Sequence, residues 1–253
     1  MSRAGRRWSM AACVAVVTLV APGRVESKPA TPVTPAMALI ATHPLSVTEP
    51  SDLAIDGSGT RLWTVTNHPS RVYQLDADGN VVKTLKFLGS DLEAVAYDRS
   101  DGTLWVAEEN RREIIHLDLE GEVLSRHALD LTGEKNSGLE GLCLDDHGRM
   151  FALNEKRPGL FLELNGTVAI EARHEVQFAK DYSGMAYDRK RHGFWIVSDK
   201  SQEIFLWNRT AGVVEHHPLP FPKAEGVAVD DAARRLYIVS DSEQKLYVYR
   251  LAD

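Results

Sequence analysis

The sequence predicts an all-β chain folded as a five-bladed β-propeller closed by an N-terminal strand. Three observations lead there: one motif recurs five times, each copy is followed by further short apolar runs, and the last copy is one run short. The motif reads Ser-Asp-Leu-Ala-Ile-Asp from Ser51, Glu-Ala-Val-Ala-Tyr-Asp from Glu93 and Glu-Gly-Leu-Cys-Leu-Asp from Glu140. It returns as Ser-Gly-Met-Ala-Tyr-Asp from Ser183 and Glu-Gly-Val-Ala-Val-Asp from Glu225, so the intervals are 42, 47, 43 and 42 residues. Repeats of this length built from four β runs, with no helical period, are the pattern of propeller blades.

Each copy then unfolds in the same order. The motif itself is the first run, ending at Asp56, Asp98, Asp145, Asp188 or Asp230, where an aspartate side chain can bond the backbone of the turn that follows. A second run carries an aromatic ring in all five copies, at Trp63, Trp105, Phe151, Trp195 and Tyr237. Burying such a ring is worth roughly 2–3 kcal/mol by area, so packing between blades is expected of it rather than ligand stacking. Third runs cover 72–75, 114–117, 161–164, 204–207 and 246–249, and turns such as Asp78-Gly79-Asn80 lead into fourth runs, for example 81–87 and 123–131. The fifth copy has three runs only. Residues 37–41 form an isolated strand-like run that can supply its fourth strand and cover both terminal edges. A six-bladed ring, the alternative, would need a copy that is not found.

Residues before the propeller read differently. Arg3, Arg6 and Arg7 precede a 12-residue apolar run, Met10 to Ala21, as in a secretory signal or an uncleaved N-terminal anchor. Twelve residues are short for a bilayer, which takes about 20. Residues 1–26 are therefore read as export segment, 27–36 as a Pro-rich spacer and 37–253 as the propeller. Residues 10–21 offer a membrane tether, and the periplasm or cell envelope is the expected compartment. Of the two cysteines Cys13 lies in the export segment. Cys143 shares one register with Ala54, Ala96, Ala186 and Ala228, where innermost strands crowd the axis, and is read as buried and structural.

Charge narrows the function classes. A net charge of −7 leaves no basic surplus for a nucleic-acid backbone, and removing residues 1–26 takes it to −10. The candidate site follows from spacing. The residues opening the first run are Ser51, Glu93, Glu140, Ser183 and Glu225; those just past the second run, 15 or 16 positions later, are Asn67, Glu109, Glu155, Asp199 and Asp241. Two antiparallel strands bring both sets to one end of the blade, so seven carboxylates and three neutral oxygen donors are expected to ring one mouth of the central channel. Glu93, Glu109, Glu140, Glu155, Asp199, Glu225 and Asp241 are the candidate metal ligands, with Ser51, Asn67 and Ser183 as ligand-binding groups. Oxygen donors of this kind suit Ca²⁺. Lys135, Lys156, Lys180, Lys200 and Lys223 fall near the same rim, so an ion-paired rim without metal, or a metal-free site for a small polar ligand, are the competing readings. His68 falls beside the mouth as a solvated loop residue.

The chain resembles the SdiA-regulated (YjiK-like) proteins, in Glu49-Pro50-Ser51-Asp52-Leu53-Ala54, Gly138-Leu139-Glu140-Gly141-Leu142, Asn154-Glu155-Lys156, Asp181 to Asp188 and Lys223 to Asp230. That resemblance spans about residues 37–253 and implies an exported or membrane-tethered β-propeller without implying a reaction. Three functional classes remain: a monomeric ligand-binding or scaffold propeller holding a divalent cation or small polar ligand; a metal-dependent hydrolase of an ester, lactone or phosphoester; and a protein-interaction module. No motif for a nucleophile, a zinc site or a phosphate loop is present.

Overall fold

The first strand of the computed structural model pairs with the last. β1 (Ala38–Pro44) runs antiparallel to β20 (Lys245–Arg250), from Ala38 opposite Arg250 to Pro44 opposite Lys245. The structure describes residues 37–131, 138–155 and 158–252. Export segment, spacer, residues 10–21, Cys13, Lys135 and Lys156 lie outside them.

Among the described residues, twenty strands form five four-stranded antiparallel sheets. Blade one is β2 (Pro50–Ile55), β3 (Leu62–Thr66), β4 (Arg71–Leu75) and β5 (Val81–Leu88). Blade two is β6 (Leu92–Asp98), β7 (Thr103–Glu108), β8 (Glu113–Leu117) and β9 (Val123–Ala128). Blade three is β10 (Leu139–Leu144), β11 (Met150–Asn154), β12 (Gly159–Leu164) and β13 (Ile170–Val176). Blade four is β14 (Gly184–Asp188), β15 (Gly193–Ser198), β16 (Glu203–Asn208) and β17 (Gly212–Pro218). Blade five joins β18 (Ala224–Asp230), β19 (Arg235–Ser240) and β20 to β1. The ring is thus five-bladed and closed as the repeat count predicts. The closing strand begins one residue later and runs three residues further than the 37–41 run, because its ladder continues to Lys245.

The innermost strands β2, β6, β10, β14 and β18 contact one another in ring order around the axis. They can do so because their facing residues are small. A Cβ on Gly226 would sit 2.4 Å from the Asp52 carbonyl carbon, and one on Gly184 2.3 Å from the Glu225 oxygen. Between blades lie the rings of the second strands: Trp63, Trp195 and Tyr237 are at most 2% exposed. Trp105 packs flat on His116, centroids 3.9 Å apart. The recurrent aspartates do serve the turns. Asp145 Oδ1 accepts the His147 and Arg149 N–H groups, Asp188 those of Lys190 and Arg191, and Asp230 those of Ala232 and Ala233. Cys143 is buried and unpaired.

Candidate functional site: the acidic mouth

Hairpin geometry sets the mouth. In blades two, three and five the residue just past the second strand returns its backbone N–H to the segment that leads into the first: Glu109 to the Asp91 oxygen, Glu155 to Gly138 and Asp241 to Lys223, each at 3.0 Å. A second device aims the side chains. The ladder between first and second strands slips at Ser51, Glu93, Glu140 and the Glu225-Gly226 pair, since the register jumps from Pro50 to Asp52, Leu92 to Ala94, Leu139 to Gly141 and Ala224 to Val227. A bulge leaves one residue unpaired and turns its side chain out of the sheet. Here that residue is the mouth residue.

A cavity of about 400 Å³ results, at the end of the channel where the first strands begin. Ser51, Asn67, Glu93, Glu140, Glu155, Ser183, Asp199, Glu225 and Asp241 all line it, with His68 at its edge. Glu109 alone of the ten sequence candidates lies outside its wall. Its Oε1 accepts the Gly138 N–H at 3.0 Å, in space that a Cβ on residue 138 would take. It still neighbours the site: Asp91, Glu93 and Glu109 each offer an oxygen within 4.8 Å of the others. Lys200 and Lys223 are on the wall, whereas Lys180 faces a neighbouring cleft.

Three wall or rim residues escaped the sequence reading: Glu49, Asp91 and Asp181. Each stands two positions before the first-strand residue of its blade, which is also where Lys223 stands. Glu49, Asp91 and Lys223 take the left-handed backbone there, with φ of 50°, 65° and 52°. Period-two spacing from Ser51, Glu93 and Ser183 was the signal that could have found them. Asp181 is buried and accepts from the Ser198 hydroxyl at 2.6 Å and the Lys200 N–H at 3.0 Å.

Electrostatics divides the mouth into two arcs. On one, Lys200 Nζ lies 3.4 Å from Glu155 and 3.3 Å from Asp181, and Lys223 Nζ lies 3.1 Å from Glu225 and 3.7 Å from Asp199. Glu225 first and Asp199 after it push the Lys223 pKa up to about 12. On the other arc, Asn67 donates to Glu93 at 2.6 Å, and no cation pairs with Glu93, Glu109 or Glu140 among the described residues. Burial, then the charges of Asp91, Glu109 and Glu225, push Glu93 up to about 8 against the opposing Ser51 hydroxyl. Burial foremost, with Glu93, Glu109, Glu155 and Glu225 around it, holds Glu140 well above the carboxylate range. Burial also lifts Glu225, to about 7, with Lys223 opposing. Carboxyls so placed take protons or a cation.

The fold is shared with glutaminyl cyclase of Myxococcus xanthus, to which the chain is 15% identical, with a TM-score of 0.66 over 88% of this chain and 100% of that one. The β-propeller domain of Myceliophteria thermophila Cps50 (Swd1) is 13% identical, with a TM-score of 0.48 over 79% of this chain and 65% of that one. At 15% identity the likeness to the cyclase is one of fold. The family model described as SdiA-regulated matches residues 40–250, almost the whole propeller, and the chain belongs to the SdiA-regulated family.

Proposed function

We propose that this is an exported, ligand-binding propeller of the cell envelope whose acidic mouth holds a divalent cation, with Ca²⁺ the ion its oxygen donors suit best. One observation carries the reading: Asp91, Glu93 and Glu109 converge within 4.8 Å of one another, with no ammonium or guanidinium paired to Glu93 or Glu109 among the described residues. Ca²⁺ takes six to eight oxygens at about 2.3–2.6 Å, from carboxylates, carbonyls and water alike. Asp91, Glu93, Glu109 and Glu140 would supply the carboxylates, Asn67 a neutral neighbour, and water the remainder, leaving positions for a small polar ligand. The lysine-bearing arc fits an ion-paired rim.

Export rests on the N-terminal sequence alone. A hydrolase finds less support, because neither the family nor a fold that serves many functions implies a reaction. Metal content of the purified chain, with melting scans in chelator and in calcium, tests the proposal. Calcium at 100 times its Kd should add about 2.7 kcal/mol of stability. Identical melting in both buffers would end the cation reading.

A further inference from the structure

Beneath the acidic mouth the channel becomes an apolar tube, and its far opening brings two arginines, Arg99 and Arg189, to the channel. Ala54, Ala96, Leu142, Cys143, Met185 and Ala186 are among its walls, and it holds about 60 Å³. The opening is built on a tetrapeptide that occurs twice, Ala96-Tyr97-Asp98-Arg99 in blade two and Ala186-Tyr187-Asp188-Arg189 in blade four. Tyr97, Arg99, Tyr187, Arg189 and Asp231 line it. At the place of the two arginines the other blades have Gly57, Asp146 and Asp231.

These charges are unevenly satisfied. Asp231 serves Arg189, taking its backbone N–H at 3.0 Å and standing 3.8 Å from its Nε. Tyr187 meets His192 at 3.3 Å. The Arg99 guanidinium and the Tyr97 hydroxyl have no hydrogen-bonded or ion-paired partner among the described residues. Two further carboxylates that act on Arg99 are committed to turns: Asp56 Oδ1 accepts the Thr60 and Arg61 N–H groups and Asp230 Oδ1 those of Ala232 and Ala233. Partial burial, and after it the neighbouring Arg189, lower the Arg99 pKa from the ordinary arginine value. Arg99 is also exposed enough to be reached from bulk solvent. A planar guanidinium is a fork for a carboxylate, the Tyr97 side chain lines the same opening, and an apolar bore behind them suits hydrocarbon.

We propose that this lower opening binds a short-chain aliphatic carboxylate, its head on Arg99 and Tyr97 and its alkyl tail in the tube. A methylene takes about the room of a water molecule's share of liquid volume, about 30 Å³, so the tube of about 60 Å³ takes about two carbons of the tail. The site is independent of any cation at the opposite mouth.

Saturation-transfer NMR titrations of the full chain with acetate, butyrate, hexanoate and butylamine, all in chelator, test it. Each methylene that enters the tube should tighten binding about fourfold, so butyrate should bind about 15-fold more tightly than acetate. Hexanoate should gain nothing further, and butylamine should not bind. Arg99→Gln, a change at the surface, should weaken butyrate at least tenfold. Ala186→Leu should abolish the advantage of butyrate over acetate while acetate binding stays; should that variant not fold, the wild-type chain-length series decides. Equal affinities for acetate and butyrate, binding of butylamine as tight as butyrate, or an unaltered Arg99→Gln would each overturn the proposal, as would no binding at all.

Discussion

Blades two and three meet the mouth with carboxylates alone among the described residues, whereas blades four and five meet it with carboxylates and lysines. The first ladder slips at the mouth in blades two, three and five and runs straight in blade four, and within that frame the charges come from very few positions. Two residues before the mouth residue, blade two has Asp91, blade three Gly138, blade four Asp181 and blade five Lys223. Lys223 turns back on Glu225, its own blade's mouth residue, at 3.1 Å. Gly138 instead makes room: a Cβ there would lie 2.0 Å from Glu109 Cγ, and its N–H holds that carboxylate beside Glu93. In blade five this position therefore neutralises the blade's own carboxylate, whereas the lysine of blade four is Lys200, past the second strand, and it pairs with Glu155 of blade three and Asp181 of its own blade.

The largest effect should come from erasing the charge of the arc whose carboxylates pair with no cation among the described residues. In Glu93→Gln/Glu140→Gln the calcium-induced rise in Tm should vanish, a loss of about 2.7 kcal/mol at 100 times Kd. Glu225→Gln, on the other arc, should keep most of it. Equal losses in the two variants would show that the arcs act as one site. Metal-free, the double variant should melt no lower than wild type, since it removes mutual repulsion and burial cost rather than a favourable pairing.

The pH dependence should be next in size. Glu93 and Glu225 have folded pKa values of about 8 and about 7 against an ordinary 4.5. An acid whose folded value is the higher holds its proton more tightly in the folded chain. The stabilisation is complete below pH 4.5 and disappears as pH climbs through about 7 and then about 8. Chelated protein should therefore lose on the order of 2 kcal/mol between pH 5 and 8.5, allowing for solvent screening. Calcium should flatten that slope, because it favours the ionised forms. A chelated protein whose Tm is level across this range would remove the electrostatic basis of the comparison.

Most of this was legible in the sequence, for reasons the structure makes concrete. The five copies of the motif could be aligned because small residues at Ala54, Ala96, Cys143, Ala186 and Ala228 are demanded wherever inner strands crowd one axis. The mouth residues could be found because a spacing of 15 or 16 across a hairpin returns the chain to the same end. What could not be read was aim. The bulges at Ser51, Glu93 and the Glu225-Gly226 pair come with left-handed turns two residues earlier, at Glu49, Asp91 and Lys223, in residues that no local pattern marks for that conformation. Glu109 likewise matches Glu155 and Asp241 in sequence position, and only the bare backbone of Gly138 draws it aside. Which carboxylates Lys200 and Lys223 choose was also beyond a register argument, since both reach the neighbouring blade: Lys200 to Glu155 and Lys223 to Asp199.

The smallest effect is the most direct test of those lysines. Half-exposed ion pairs contribute little, so Lys200→Met/Lys223→Met should cost only about 1 kcal/mol in chemical denaturation without calcium. Its consequence for binding should be qualitative. With Lys223 gone, Glu225 loses the one group that lowers its pKa, while Asp199 and Asp241 still raise it; Glu155 and Asp181 lose Lys200 in the same way. The second arc then comes closer in chemistry to the first: buried carboxyls around shared space, without the ammonium of Lys200 or Lys223. Calorimetric titration of this variant should reveal a second calcium per chain, weaker than the first because Asp181 remains committed to the Ser198 hydroxyl and the Lys200 N–H. If the stoichiometry stays at the wild-type value, the lysines do not separate the arcs, and the distinction would have to lie in the backbone instead: a slipped register at Glu93 and Glu140, against a ladder in blade four that runs without slippage from Gly184 opposite Val197 to Asp188 opposite Gly193.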